Sequence, residues 1–218
     1  MKTIIVDHVV VDREFLPPYC TGIGIRVNLL YCQVSVPSWQ DDRIGRMLGV
    51  DPGITNFGLC WLEKYWGNGS FNCVIAQFSL PSKMKMADRI EVTTLGAEEI
   101  ITSPRFRPKQ LNRAKLGGLT YPRTLPNYGA LIESSAIGAK FGQAPLSENR
   151  ACMVMAVRNS KLFRWIKDAP PMTITKEVFG SGKIKSKEYF MPELKGFPDG
   201  ASALGCALYL FRKGGQRE

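Results

Sequence analysis

At 218 residues, 44% hydrophobic and 22% charged, the chain can bury one good core but not two full domains, and disorder is excluded as its default state. Lysine and arginine number 29 against 19 aspartates and glutamates, a formal charge of +10 with a pI near 9.4, which fits an anionic partner such as nucleic acid. No apolar stretch reaches membrane-spanning length, and the opening segment, broken by Asp7 and His8, lacks the apolar region and cleavage site of a signal peptide.

Apolar stretches at Ile4–Val11 and Ile23–Val36 predict two strands around the turn-like Leu16-Pro17-Pro18. Residues 1–46 therefore form either an accessory hairpin or an extension with little connection to the core. From residue 47 the pattern becomes that of a single α/β domain running to 213. Met47–Val50 is a short strand that ends in Asp51-Pro52-Gly53, Phe57–Leu62 its hairpin partner, and Phe71–Leu80 a third strand. A helix is predicted from Lys83 to about Ile100, weakened by its threonines. Residues 102–127 are loop-like, with four prolines and Gly117-Gly118. Tyr128–Glu133 predicts a strand, and Ser147 caps a helix to about Leu162 that buries Cys152, Met153, Ala156 and Val157. Met172–Thr175 reads as a short strand. Asp199 opens a last helix with Leu204, Leu208 and Phe211 on one face, stopped by Gly214-Gly215. Three antiparallel strands followed by alternating strands and helices define an α/β class with a mixed central sheet flanked by helices.

The six cysteines include no Cys-x-x-Cys pair, which removes zinc-ribbon and dithiol redox readings and suits free thiols in a reducing, intracellular setting. His8 is the only histidine, so histidine-based catalysis has almost nothing to use. Three acids stand in unusual places. Asp51 ends an apolar strand, Glu133 ends the apolar run Tyr128–Ile132, and Asp199 begins an apolar helix. Taken singly, each reads more readily as an ordinary strand-end or capping residue than as a ligand. Together they make a different case, because a carboxylate on a buried strand needs a compensating partner and a hard divalent cation supplies one. If they converge, they provide ligands for two Mg2+ or Mn2+ ions about 4 Å apart, the arrangement suited to phosphodiester hydrolysis.

The segment Met47–Gly58, with its apolar–Gly–apolar–Asp–Pro–Gly core, resembles the opening strand of the RuvC family of Holliday junction resolvases. Leu131-Ile132-Glu133 resembles that family's central strand with its catalytic glutamate. Glu177–Lys183 is similar to its Val-Val-Gly-x-Gly segment and following lysine, and Pro198–Gly205 to its last helix. The four motifs fall in family order between residues 46 and 213. The resemblance implies an RNase H-like fold, Asp51, Glu133 and Asp199 as catalytic and metal-binding carboxylates, a homodimer, and four-way or other branched DNA as substrate. The family's second acid or histidine in the last helix is replaced here by Ser202, a poor metal ligand that is expected to contact metal-bound water instead. Lys185 or Lys187 falls near a family lysine at the scissile phosphate.

Two basic clusters extend this reading. The insertion at 81–127 carries Arg105, Arg107, Lys109, Arg113, Lys115 and Arg123 with Phe106 and Tyr121 interleaved, and residues 102–127 hold no acid. Cations neutralise phosphates and aromatic faces stack on unpaired bases, so it reads as a DNA-binding loop. Lys183, with Lys185 and Lys187, forms the second cluster. Gly180-Ser181-Gly182-Lys183 is not a nucleotide-binding P-loop, because Glu177 stands where its first glycine belongs and Ile184 follows the lysine. The alternatives are a RuvC-like nuclease of a transposase or guide-RNA system, for which the chain is short, and an inactive branched-DNA binding module, for which Ser202 speaks. An actin-like ATPase would need more chain and a second phosphate loop. Compact length and a variant motif set suit a phage or organellar protein.

Overall fold

The computed structural model describes residues 4–12, 25–36, 45–64, 70–102, 127–134, 143–190 and 193–213. The strands are β1 (Ile5–Asp12), β2 (Arg26–Ser35), β3 (Gly45–Asp51), β4 (Asn56–Lys64), β5 (Ser70–Ser79), β6 (Asn127–Glu133) and β7 (Trp165–Ala169). The helices are α1 (Met86–Thr102), α2 (Gln143–Asn159), α3 (Pro171–Phe179), α4 (Ser186–Tyr189) and α5 (Pro198–Lys213). All seven strands join one sheet in the order β1-β2-β5-β4-β3-β6-β7. The pairs β3–β6 and β6–β7 are parallel and the rest antiparallel, which is the mixed sheet expected. The hairpin from the first 46 residues is not detached from the core: β2 pairs with β5 over ten residues and widens the sheet by two strands.

Alternation along the strands divides the core into two layers. Leu48, Val50, Leu59, Trp61, Val74 and Phe78 face α1 and α2, whereas Met47, Cys60, Leu62, Phe71, Cys73 and Ile75 face α5 and α3. β4 is buried over nearly its whole length, as expected of a central strand covered on both sides. α5 lies against β3 and β4 so closely that side chains on two strand residues are excluded. A Cβ at Gly49 would meet the carbonyl oxygen of Ala203 at 1.9 Å, and one at Gly58 that of Asp199 at 2.2 Å. These glycines set the height of the α5 N-terminus over the sheet edge where β3 ends.

Two element assignments change. The strand expected at Met172–Thr175 is the first half of α3, and the strand lies earlier, at Trp165–Ala169. Thr173, Ile174 and Thr175 are β-branched and favour a strand locally. Pro170 and Pro171 instead start a helix at its N-terminus, where a missing N–H costs nothing, and buried Ile174 and Val178 repeat at helical spacing. β7 buries only Ala169 among its five residues and carries Lys167 and Asp168, so as an edge strand it lacks the apolar signature sought. α2 begins at Gln143 rather than at Ser147. In α1 two of the threonines are accommodated by back-bonding: Thr94 and Thr102 donate to the carbonyls of Ile90 and Glu98, both at 2.7 Å.

Candidate active site

Asp51 and Glu133 are the last residues of β3 and β6, neighbouring parallel strands in which Val50 pairs with Ile132. Their Cα atoms therefore sit about one strand spacing apart, roughly 4.8 Å. Since Val50 and Ile132 face the α1/α2 layer, period-2 alternation turns both acids to the opposite side, towards α5. There the first turn of α5 presents Asp199. The three acids line one cavity of about 470 Å³.

Buried side chains hold this geometry. Gln77 of β5 is 5% exposed and clamps the start of α5 from two directions. Its Oε1 accepts from the backbone N–H groups of Asp199 (3.1 Å) and Gly200 (3.3 Å), while its Nε2 donates to the Gly196 carbonyl at 3.1 Å. The glutamine thus satisfies helix N–H groups that lack intrahelical partners and fixes Asp199 over the strand ends. Asn149 of α2, 1% exposed, donates through Nδ2 to the carbonyls of Pro52 (3.1 Å) and Gly53 (3.0 Å), pinning the turn after Asp51. Cys206 lies beneath the pair, its thiol 3.9 Å from Glu133 Oε2 and 3.8 Å from the Val50 carbonyl.

The electrostatics of the three acids are adverse. Burial, and then the charges of Glu133 and Asp199, push the Asp51 carboxyl well above its usual range, against a hydrogen bond from Ser202 and the charge of Lys187. Burial and the neighbouring Asp199 raise Glu133 to about 7. Asp199 is raised by burial and held back by its own backbone hydrogen bond and by Lys187. Like charges gathered in a low-dielectric cleft resist ionisation together.

That frustration fits a divalent cation. Among the described residues no three His, Cys, Asp or Glu side chains form a ready-made metal cage. A closed cage is not what Mg2+ needs, because it keeps several waters and uses only a few carboxylates plus substrate phosphates. Three oxygen donors converging on an open cleft, with mutual repulsion that a cation would relieve, are a compatible donor set.

Ser202 lines the same cavity and its hydroxyl hydrogen-bonds to the Asp51 carboxylate, which orients the acid. Lys183, Lys185 and Lys187 all line the same cavity as the acids. Lys187 acts electrostatically on Asp51 and Asp199; Lys185 is exposed and 3.8 Å from Glu188. The lysine loop springs from the end of α3, where Gly180 takes the left-handed conformation (φ 75°) that terminates the helix. Arg105, Arg107, Lys109, Arg113, Lys115 and Arg123 lie outside the described residues. Gln77 and Asn149 were not anticipated. The one available signal for Gln77 was a lone amide in the apolar run Val74–Phe78; nothing marked Asn149.

No protein-family model matches the chain, and no curated protein does. Solved structures do. The Thermus thermophilus RuvC structure superposes with a TM-score of 0.51 at 19% identity, covering 78% of this chain and 96% of that one. T. thermophilus RuvC in complex with Holliday junction substrate gives 0.48 at 14% identity over the same shares. The first likeness, with the strand order β5-β4-β3-β6-β7 and the flanking helices, defines the class: an α/β protein with an RNase H-like fold. Within that class the fold is RuvC-like.

Proposed function

We propose that this chain is a metal-dependent endodeoxyribonuclease that resolves four-way junctions or other branched DNA. The observation that carries the reading is the convergence of Asp51, Glu133 and Asp199 from three separate elements on one cleft of a RuvC-like fold, faced by lysines. In this reading the three carboxylates hold one or two Mg2+ or Mn2+ ions. Such ions, when bound, supply an activated water and stabilise the leaving 3′-oxygen of a phosphodiester. The chain's own residues set the geometry. Gln77 and Asn149 fix the backbone on which Asp199 and Asp51 are carried, and the Ser202 hydroxyl orients the Asp51 carboxylate. Lys183, Lys185 and Lys187 line the same cavity, where they meet phosphate oxygens and draw the strand in.

Junction shape and backbone charge, more than base sequence, select the substrate. Symmetric incision of a junction needs two active sites, which a homodimer provides. No helix among the described residues is long and apolar enough to cross a membrane. The test is cleavage of a labelled four-way junction beside a linear duplex, in Mg2+ and in Mn2+, by wild type and Asp51→Asn. Paired nicks on the junction that vanish in the variant are expected. Junction binding with no cut in either metal would leave a binding module and overturn the reading.

A further inference from the structure

We infer that a second cavity, beside the active site and built partly by the added hairpin, is a phosphate site for the nucleic-acid strand that continues from the cleavage cleft. It measures about 450 Å³ and is walled by Arg26 at the start of β2, Ser79 at the end of β5, and Ser82 and Lys83 in the loop before α1. No acid lines it. A planar guanidinium, an ammonium and two hydroxyls are donors suited to the oxygens of a phosphodiester.

Its position follows from the sheet register. Asn56 lines the active-site cavity; its antiparallel partner on β5 is Ser79, which lines the second, and Ser79 in turn pairs with Arg26. The two cavities thus open side by side along one sheet edge. Asp51 pairs with Gly58, two residues along β4 from Asn56, so Arg26 on β2 lies three strands across and two residues along from Asp51 on β3. That is about 16 Å at the usual spacings, a distance that a few nucleotides of one strand span. A strand whose phosphate sits over Asp51 therefore carries further phosphates across Arg26 and Lys83.

The loop is also built to hold still. Arg89, 8% exposed, donates to the carbonyls of Pro81 (2.9 Å), Ser82 (2.6 Å) and Met84 (2.9 Å), and to Thr55 Oγ1 at 3.3 Å. The Leu80 N–H donates to the Thr55 carbonyl at 2.8 Å. Thr55 belongs to the turn that follows Asp51. One buried guanidinium therefore ties the loop bearing Ser82 and Lys83 to the turn bearing the first catalytic acid. Fixing the donors before binding removes an ordering cost that the ligand would otherwise meet.

This inference rests on the nucleic-acid reading above but not on cleavage, so its test measures binding alone. Junction affinity is measured in EDTA across a salt series for wild type, for Arg26→Gln/Lys83→Gln, and for Lys161→Gln/Arg164→Gln. The last pair removes the same charge from the opposite sheet edge. We expect the first double variant to bind about tenfold more weakly near physiological salt, with a log–log salt slope smaller by about 1 to 2, and the control to match wild type. Lys83→Glu, at an exposed loop position, repeats the test should the double variant fold poorly. Equal affinities and slopes in all proteins would overturn the site. So would a variant that binds the junction normally but has lost binding of inorganic phosphate, since the cavity would then serve a free anion. A wild type that cuts no DNA, with the variant's binding defect intact, would remove the nuclease reading and leave this site standing.

Discussion

The two ends of the β3–β4 pair bury charge in opposite ways. At the end where β3 begins, Glu63 is almost wholly buried but forms an ion pair with Arg46, whose guanidinium also donates to the Tyr128 hydroxyl at 2.8 Å. Beside it Lys64, fully buried, lies 5.6 Å from the Phe71 ring and 5.4 Å from that of Phe211. At the end where β3 stops, Asp51, Glu133 and Asp199 face one another, and the cation acting on two of them is Lys187. Buried charge that has its partner is architecture, and removing one member leaves the other stranded. Buried charge left in mutual repulsion marks a place where a ligand completes the balance. The staples of the second end, Gln77 and Asn149, hold the repelling groups where they would otherwise relax apart.

The largest effect should separate the two ends by activity. Asp51→Asn and Glu133→Gln should each slow junction cleavage by about a thousandfold or more, measured as a single-turnover rate, while Glu63→Gln leaves the rate of the folded fraction near wild type. A rate loss in the Glu63 variant that matches those of the other two would dissolve the distinction. Stability should run the other way. Glu63→Gln removes the carboxylate partner of Arg46 and should lower unfolding free energy by about 3 kcal/mol, the low end for a buried pair because Arg46 keeps 18% exposure and its bond to Tyr128. Asp51→Asn should stabilise the metal-free protein, which urea denaturation in EDTA will show.

Gln77→Ala tests whether the clamp serves position. We expect a cleavage rate about a hundredfold lower with a stability loss of about 1–3 kcal/mol. Gln77→Glu keeps the acceptor for Asp199 and Gly200 and should recover part of the rate. Equal rate losses in both would assign the effect to charge or folding instead.

The smallest effect concerns pH. Glu133 titrates near 7 in the folded chain against an ordinary 4.5, and Asp51 and Asp199 shift the same way. The unfolded chain gives up these protons first. Metal-free stability should therefore fall as pH rises from 4.5 through about 7, by about 2 kcal/mol after allowance for solvent screening. Thermal melts in EDTA at pH 5 and pH 8 should show that decline, and it should shrink in Glu133→Gln. Adding Mg2+ at pH 8 should restore the wild type and do little for Asp51→Asn. A pH dependence identical in wild type and Glu133→Gln would mean that the acids are not frustrated.

Much of this was written locally. The strand ends that carry Asp51 and Glu133, and the helix that Asp199 opens, follow from short apolar runs that stop at an acid, and period-2 alternation carries through to the two core layers. Where local propensity and context disagreed, context prevailed: β-branched Thr173–Thr175 went helical behind Pro170-Pro171, and weakly apolar Trp165–Ala169 became a strand by pairing with β6. The union of the first hairpin with β5 depends on residues 35 (Ser35 and Ser70) to 53 (Arg26 and Ser79) positions apart finding register, which no local pattern encodes. So does the clamp of Gln77 on a helix start 122 residues away. Sequence alone determined which residues carry charge and where the chain must turn. Tertiary structure alone decided which buried charges are matched and which are left opposed, because burial and pairing are properties of neighbours in space.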